Sequence, residues 1–331
     1  DCDECNEDSR SVNTTYIASN NGITAENVMK SYTTQYWTMH DYNKTAWPGV
    51  TLHSTILGLS NNSQVTGVPY ARGRDDTPAT FVSRLGQSYS TGKYCAGDIS
   101  TGYVNGGTTG ADCSGYVGWA LYNTFNTENG LEGYVGSARN MAKDLADAGL
   151  GEWTKDIKTE AGEIDLKPGD IMSISGHHIW ICLGACDDGS ILIAHCSPSD
   201  SRTNMPGAGA QISAIGTSTD CEAYKLADEY MSKYYPKWYE RYPIYLTDPD
   251  VYLDTEKGNA GRFRWTANGL SDYEGIQNMK PADVLKVLFP ENETSDNTAE
   301  SANDNQTVKV ESVPKTGDKW MNPFLIIRSI L

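Results

Sequence analysis

Basic residues are scarce in this 331-residue chain: 26 Lys and Arg stand against 43 Asp and Glu, for a formal net charge of −17. That balance repels phosphate backbones and leaves no basic stripe, which argues against nucleic acid and anionic lipid as partners. Eight cysteines spread along such a length are too sparse for a small disulfide scaffold. Cys2-x-x-Cys5 has half the form of a zinc knuckle, but no second Cys/His pair lies at zinc-site spacing, so no metal or cofactor is expected. There is no internal repeat, no interior linker, and no charged segment followed by an apolar one near Asp1 that would read as an export signal. What is present, 38% hydrophobic and 10% aromatic residues, suffices for a sizeable core.

The C-terminal stretch is a different kind of sequence. Residues 291–312 hold six acidic residues, one lysine and no aromatics, so they bury too little apolar surface to fold and read as a disordered acidic spacer. Val313, Pro314, Lys315, Thr316 and Gly317 follow, then a short apolar end. This pentapeptide resembles the sortase-type sorting signal of Gram-positive bacteria, with valine where leucine is usual. The resemblance implies a sortase as partner and an extracellular, cell-wall-attached location. The 14 residues that follow it are short of the roughly 20 that a membrane span requires.

Between the ends, periodicity predicts an α+β architecture. A helix-like stretch covers TAENVMKSYTTQYWTMH, residues 24–40. Residues 114–125 place Val117, Ala120 and Leu121 on one helical face, and residues 139–148 place Met141 and Leu145 together. Residues 222–235 read as a helix with Leu226, Tyr230 and Met231 clustered. Residues 178–184 and 190–195 alternate as strands, and the Asp-Gly turn between them predicts an antiparallel hairpin with His178 and His195 in reach of each other.

Cys113 sits in Asp112-Cys113-Ser114-Gly115, a turn-competent run before a helix. A lone cysteine is ordinarily a buried, inert residue. At a helix start, unpaired N–H groups and the positive end of the dipole favour thiolate over thiol and also suit a developing oxyanion. Such a nucleophile needs a base, and the base needs an orienting partner. His178 and His195 are the candidates. His177 competes for the base role, His195 has the alternative of a satisfied core histidine, and Cys196 reads as a packing residue.

The wording DCSG, LKPGDIMSI, HHIWICLG and ILIAHCS, preceded by GVPYARG at residues 67–73, resembles the NlpC/P60 family of papain-like cysteine peptidases in motif order and approximate spacing. The resemblance covers residues 64–200. It implies a papain-like fold with the catalytic cysteine at a helix N-terminus packed on an antiparallel sheet that carries the histidines. It further implies Cys113 as nucleophile, His178 as base and His195 as orienting residue, with Tyr70 beside the nucleophile and Asp112 and Ser114 at the free amino end of the substrate. The substrate class implied is the bacterial peptidoglycan stem peptide, cut between D-glutamate and a diamino acid. Amidase cleavage at the sugar junction, as in the related CHAP enzymes, a transferase, and a non-catalytic wall-displayed binding module are the alternatives. The segment in this family ends in two glycines, whereas here Arg74 follows Gly73. On this reading residues 1–63 are an N-terminal extension or small subdomain, 64–290 the peptidase domain with an accessory region at 201–290, 291–312 the spacer and 313–331 the sorting motif with its tail.

Overall fold

A seven-stranded sheet organises the residues that the computed structural model describes. These are 68–76, 108–125, 136–197, 209–241 and 244–290, with short stretches at 36–38, 64–66, 81, 84, 88–89, 92–93, 95–96, 199–200 and 205–206. In chain order the principal elements are α1 (Cys113–Phe125), α2 (Met141–Asp147), β1 (Gly151–Thr154), β2 (Ile171–Ile174), β3 (His178–Ala185), β4 (Ile191–Cys196) and β5 (Ala210–Ile215). Then come α3 (Glu222–Tyr234), α4 (Pro236–Arg241), β6 (Leu246–Thr247), α5 (Pro249–Tyr252), β7 (Gly261–Trp265) and α6 (Pro281–Leu288). The sheet runs β6-β5-β4-β3-β2-β7-β1, and every pair is antiparallel except β5 with β6. The protein is therefore α+β. No helix among the described residues is long and apolar enough to cross a membrane.

The hairpin at the centre forms for local reasons. Gly189 takes the left-handed turn conformation (φ 83°), and the Asp188 carboxylate accepts the Ser190 N–H at 3.0 Å. Cys182 then pairs with Ile193 and Ile181 with Ala194, with a register shift between Leu192 and Ile193. This register puts His178, Trp180 and Cys182 on the same face as Ile193 and His195. Strict alternation in such strands ordinarily marks one wet face. Here no residue from Ile179 to Leu183, or anywhere in β4, is more than 2% exposed, because both faces are covered. Ile157, Leu166 and Leu253 pack with Met172, Ile174 and Trp180 on the histidine face. On the other face Ser173 Oγ accepts the Ala142 N–H of α2 at 3.2 Å, and the Cys196 thiol donates to the Ala111 carbonyl at 3.3 Å. Cys196 is thus a packing residue.

The turn entering β2 is tied down by charge. Asp170, fully buried, accepts the Lys167 N–H at 2.8 Å and a forked contact from Arg264 of β7, at 2.9 Å from Nε and 2.7 Å from Nη2. Asp165 takes Arg262 at 2.5 Å and Arg264 at 3.1 Å. Bidentate geometry makes this network a stronger clasp than isolated surface pairs.

Two expectations are corrected. Tyr36–Thr38 is a strand paired with Gln64–Thr66, so the helix-like stretch at 24–40 does not reach its predicted end. Aromatic and β-branched residues favour extended pairing once a partner strand is present. In α3 the buried stripe is Ala223, Ala227 and Met231, while Leu226 and Tyr230 are only half-buried. Alanines at i and i+4 let the helix approach closely, and that approach, not hydropathy, chooses the face. The remainder of 1–63, the spacer at 291–312 and the motif Val313–Gly317 lie outside the described residues.

Candidate active site

The site is built from the start of α1 upward. Cys113 is its first helical residue, and Asp112 caps it: Oδ1 accepts the Gly115 N–H at 2.8 Å and the Ser114 hydroxyl at 2.9 Å. Burial holds the Asp112 carboxyl above its ordinary range against those hydrogen bonds. Asp112 and Ser114 are both buried, so the structure gives them a shared structural role at the helix start.

Segment 68–76 wraps this cap. Ala111 donates to Pro69 O at 3.2 Å, Ala71 to Ala111 O at 3.0 Å and Asp112 to Arg74 O at 2.8 Å. Tyr70 bridges Ala111 and is buried beside the cap. Arg74 fits where a glycine is usual because it needs no left-handed backbone; Gly73 alone takes one here, at φ 67°. Asp76, also buried, accepts Thr109 Oγ1 at 2.6 Å and the Gly110 N–H at 2.9 Å, and pairs with Arg84.

The histidines form a relay. His178 Nε2 lies 3.1 Å from His195 Nδ1, and His195 Nε2 lies 3.1 Å from Ser213 Oγ on β5. If His195 donates to Ser213, its Nδ1 accepts the His178 N–H, which leaves the lone pair of His178 on Nδ1. Burial pushes the His178 imidazole down to about 4, and burial together with its neighbour holds His195 well below the usual range. Both rings are neutral near pH 7.

Cys113 lies against the β2–β3 turn that leads into His178. Its Sγ lies 4.0 Å from the carbonyl oxygen of His177, the residue before His178. The His177 side chain is exposed and takes its Nε2 contact from Arg139, away from the relay. The structure thus pairs His178 with His195, sets Cys113 against the backbone of the residue before His178, and leaves the His177 ring outside the relay.

Several residues here have no local signature. The Tyr252 ring packs edge-on against both histidines, with centroids 5.3 Å from His178 and 5.9 Å from His195. Burial, the neighbouring Tyr245 and the charge of Cys113 hold its phenol protonated, and Ser197 bonds its hydroxyl. Gln211 pairs with His195 across β4 and β5, is buried, and has no hydrogen-bond partner for either amide atom among the described residues. Strand periodicity shows Ser213 and Gln211 only as polar residues in a strand, and nothing near residue 252 marks that tyrosine.

One group of possible metal ligands occurs among the described residues: Cys186, Asp188 and Glu222 hold ligand atoms within 4.8 Å of one another. The Asp188 carboxylate already accepts Ser190 and the Glu222 N–H at 2.7 Å, and burial pushes the Cys186 thiol up to about 12. A cysteine that ligates a metal must be a thiolate, so this donor set fits a hydrogen-bonded turn better than a cation. No protein-family model, curated protein or solved structure matches the chain.

Proposed function

We propose that this protein is a papain-like cysteine peptidase acting on an amide bond of bacterial cell-wall stem peptides. The observation that carries the reading is a cysteine at the first position of a helix, set against the turn that leads into a His178–His195–Ser213 relay whose inner members, His195 and Ser213, are buried. In the first step His178 Nδ1 takes the Cys113 proton, and sulfur attacks the carbonyl carbon. The Cys113 N–H, at the first turn of the helix, faces the oxyanion. As the C–N bond breaks, His178 returns the proton to the leaving amine. Water, deprotonated by the same nitrogen, then hydrolyses the thioester and regenerates the thiol. His195 and Ser213 keep His178 in the required tautomer, and Tyr252 shields the pair.

The bond proposed is that between D-glutamate and the diamino acid, by the motif resemblance. The acidic spacer and Val313–Gly317 support a protein displayed on the cell wall, where tethering raises its effective concentration at the substrate. Mass spectrometry of products from defined muropeptides tests the reading: the expected pair is a glutamyl acid and a free diamino-acid amine. Release at the sugar junction instead makes the protein an amidase, and uncut muropeptides leave the binding-module reading.

The pH profile is a second test. Protonated His178 cannot accept the thiol proton, so kcat/KM falls on the acid side with an apparent pKa set by this ring. Burial moves that limb down toward about 4. An acid limb at the ordinary histidine value near 6.5 would show that His178 is not the base. The same burial makes folding pH-dependent. Between about 4 and about 6.5 the unfolded chain takes up a proton that folded His178 refuses, so stability falls as pH drops through that window.

A further inference from the structure

In a chain with a net charge of −17, a guanidinium packed on the turn that contacts Cys113, with no carboxylate partner among the described residues, is conspicuous. Arg139 is such a group: among the described residues no ion pair joins it to an acid, and its Nε is buried without a hydrogen-bond partner. Its position is constructed. Gly258, in a left-handed conformation (φ 60°), lies so close that an added Cβ would sit 2.9 Å from Arg139 Cδ. Nη2 donates to the Ser175 carbonyl at 3.5 Å and to the ring of His177. The loop that clamps it is itself fixed, with Ser175 Oγ donating to Asp254 at 2.9 Å and accepting the Lys257 N–H at 2.9 Å.

His177 links this cation to the nucleophile. It is the one non-glycine among the described residues with a left-handed backbone (φ 60°), a conformation that costs free energy and persists where surrounding contacts demand it. That backbone turns its carbonyl toward Cys113 Sγ and its exposed ring toward Arg139. Arginine in this setting recognises a planar anion, since its N–H fork matches a carboxylate.

We propose that Arg139, with the His177 ring beside it, is a carboxylate-binding subsite that reads a free α-carboxylate next to the scissile amide. It selects the acid form of a γ-linked glutamyl residue over its carboxamide. The identity of the substrate rests on the peptidase reading; the subsite itself rests on the geometry around Cys113.

The test separates the two. Iodoacetate and iodoacetamide alkylate the same thiol but differ by one carboxylate, so the ratio of their rates at Cys113 reports an anion site without any peptide. The ratio is read residue by residue by mass spectrometry, with the partly exposed Cys221 as internal reference. In the parent, the ratio at Cys113 should exceed that at Cys221 by up to about fivefold, the scale of a single partly exposed ionic contact. Arg139→Gln should bring it down to the Cys221 value, and Arg139→Lys should retain part of it. Gly258→Ala, whose new methyl displaces the arginine stem, should reproduce the loss if Arg139→Gln does not fold. In parallel, the parent should cut the free-acid muropeptide faster than the carboxamide form, and Arg139→Gln should erase that preference through KM. An unchanged alkylation ratio in Arg139→Gln overturns the subsite. A lowered ratio with no peptide cut keeps the subsite and removes the peptidase reading. A Cys113 that neither reagent labels overturns both.

Discussion

Cys113→Ala is expected to release no fragment from a stem peptide that the parent cleaves, a loss of at least about 10⁴-fold in kcat. The melting temperature should stay within roughly 3 °C of the parent, because the thiol is only partly buried and its removal leaves the capping bonds of Asp112 untouched. The size of the loss follows from the chemistry. Without sulfur there is no thioester, and the two easier steps of acyl transfer collapse into one direct attack by water. The backbone N–H at position 113 and the histidine relay remain, so on the proposed reading binding of the stem peptide should survive. Calorimetry on the alanine variant with an uncut muropeptide checks that separation. Turnover at the parental rate would remove Cys113 from the mechanism. Adding His178→Gln to the alanine variant should cost little more, since groups that act on one proton are not additive.

Much of this site is legible because its chemistry is local. Asp-Cys-Ser-Gly before an apolar helical face announces a capped helix start, and α1 begins at Cys113 with Val117, Ala120 and Leu121 buried. The Asp-Gly turn and period-two alternation announce the hairpin and bring His178 to His195. The unreadable parts depend on long-range packing. Tyr252 ends α5, the short helix after β6, far along the chain from both histidines, and only the sheet order brings it to them. Ser213 looks like any polar residue of a strand until β5 is placed beside β4. The alternation in β3 foretells facing but not exposure, because covering both faces is a property of the layers. His177 carries no sequence sign of its left-handed backbone, which the tight β2–β3 turn imposes on it.

Gly115→Ala is expected to destabilise the protein by about 3 kcal/mol or more and to lower the melting temperature by roughly 5–10 °C. The direction of the effect is the diagnostic. Within a helix, alanine is ordinarily favoured over glycine by about 1 kcal/mol, so helix propensity alone anticipates a gain. At this position an added Cβ would sit 2.3 Å from the Arg74 carbonyl oxygen and 2.9 Å from Asp75 Cα, and both obstacles are backbone. No rotamer change relieves them; either segment 68–76 or the first turn of α1 must move. That movement strains the Asp112 N–H bond to Arg74 O and the Gly115 N–H bond to Asp112, which together fix the start of the helix. A shift of about 1 Å in a nucleophile costs on the order of 10²-fold in rate, so the surviving folded fraction should also turn over slowly. Gly176→Ala is the control, because its added Cβ meets only Ile174 Cδ1 at 3.8 Å, an ordinary contact. Thermal unfolding of the two variants in parallel decides the matter. A Gly115→Ala protein as stable as the parent would mean that segment 68–76 does not lie against the nucleophile helix, and the wall of the site that carries Tyr70 would have to be placed elsewhere.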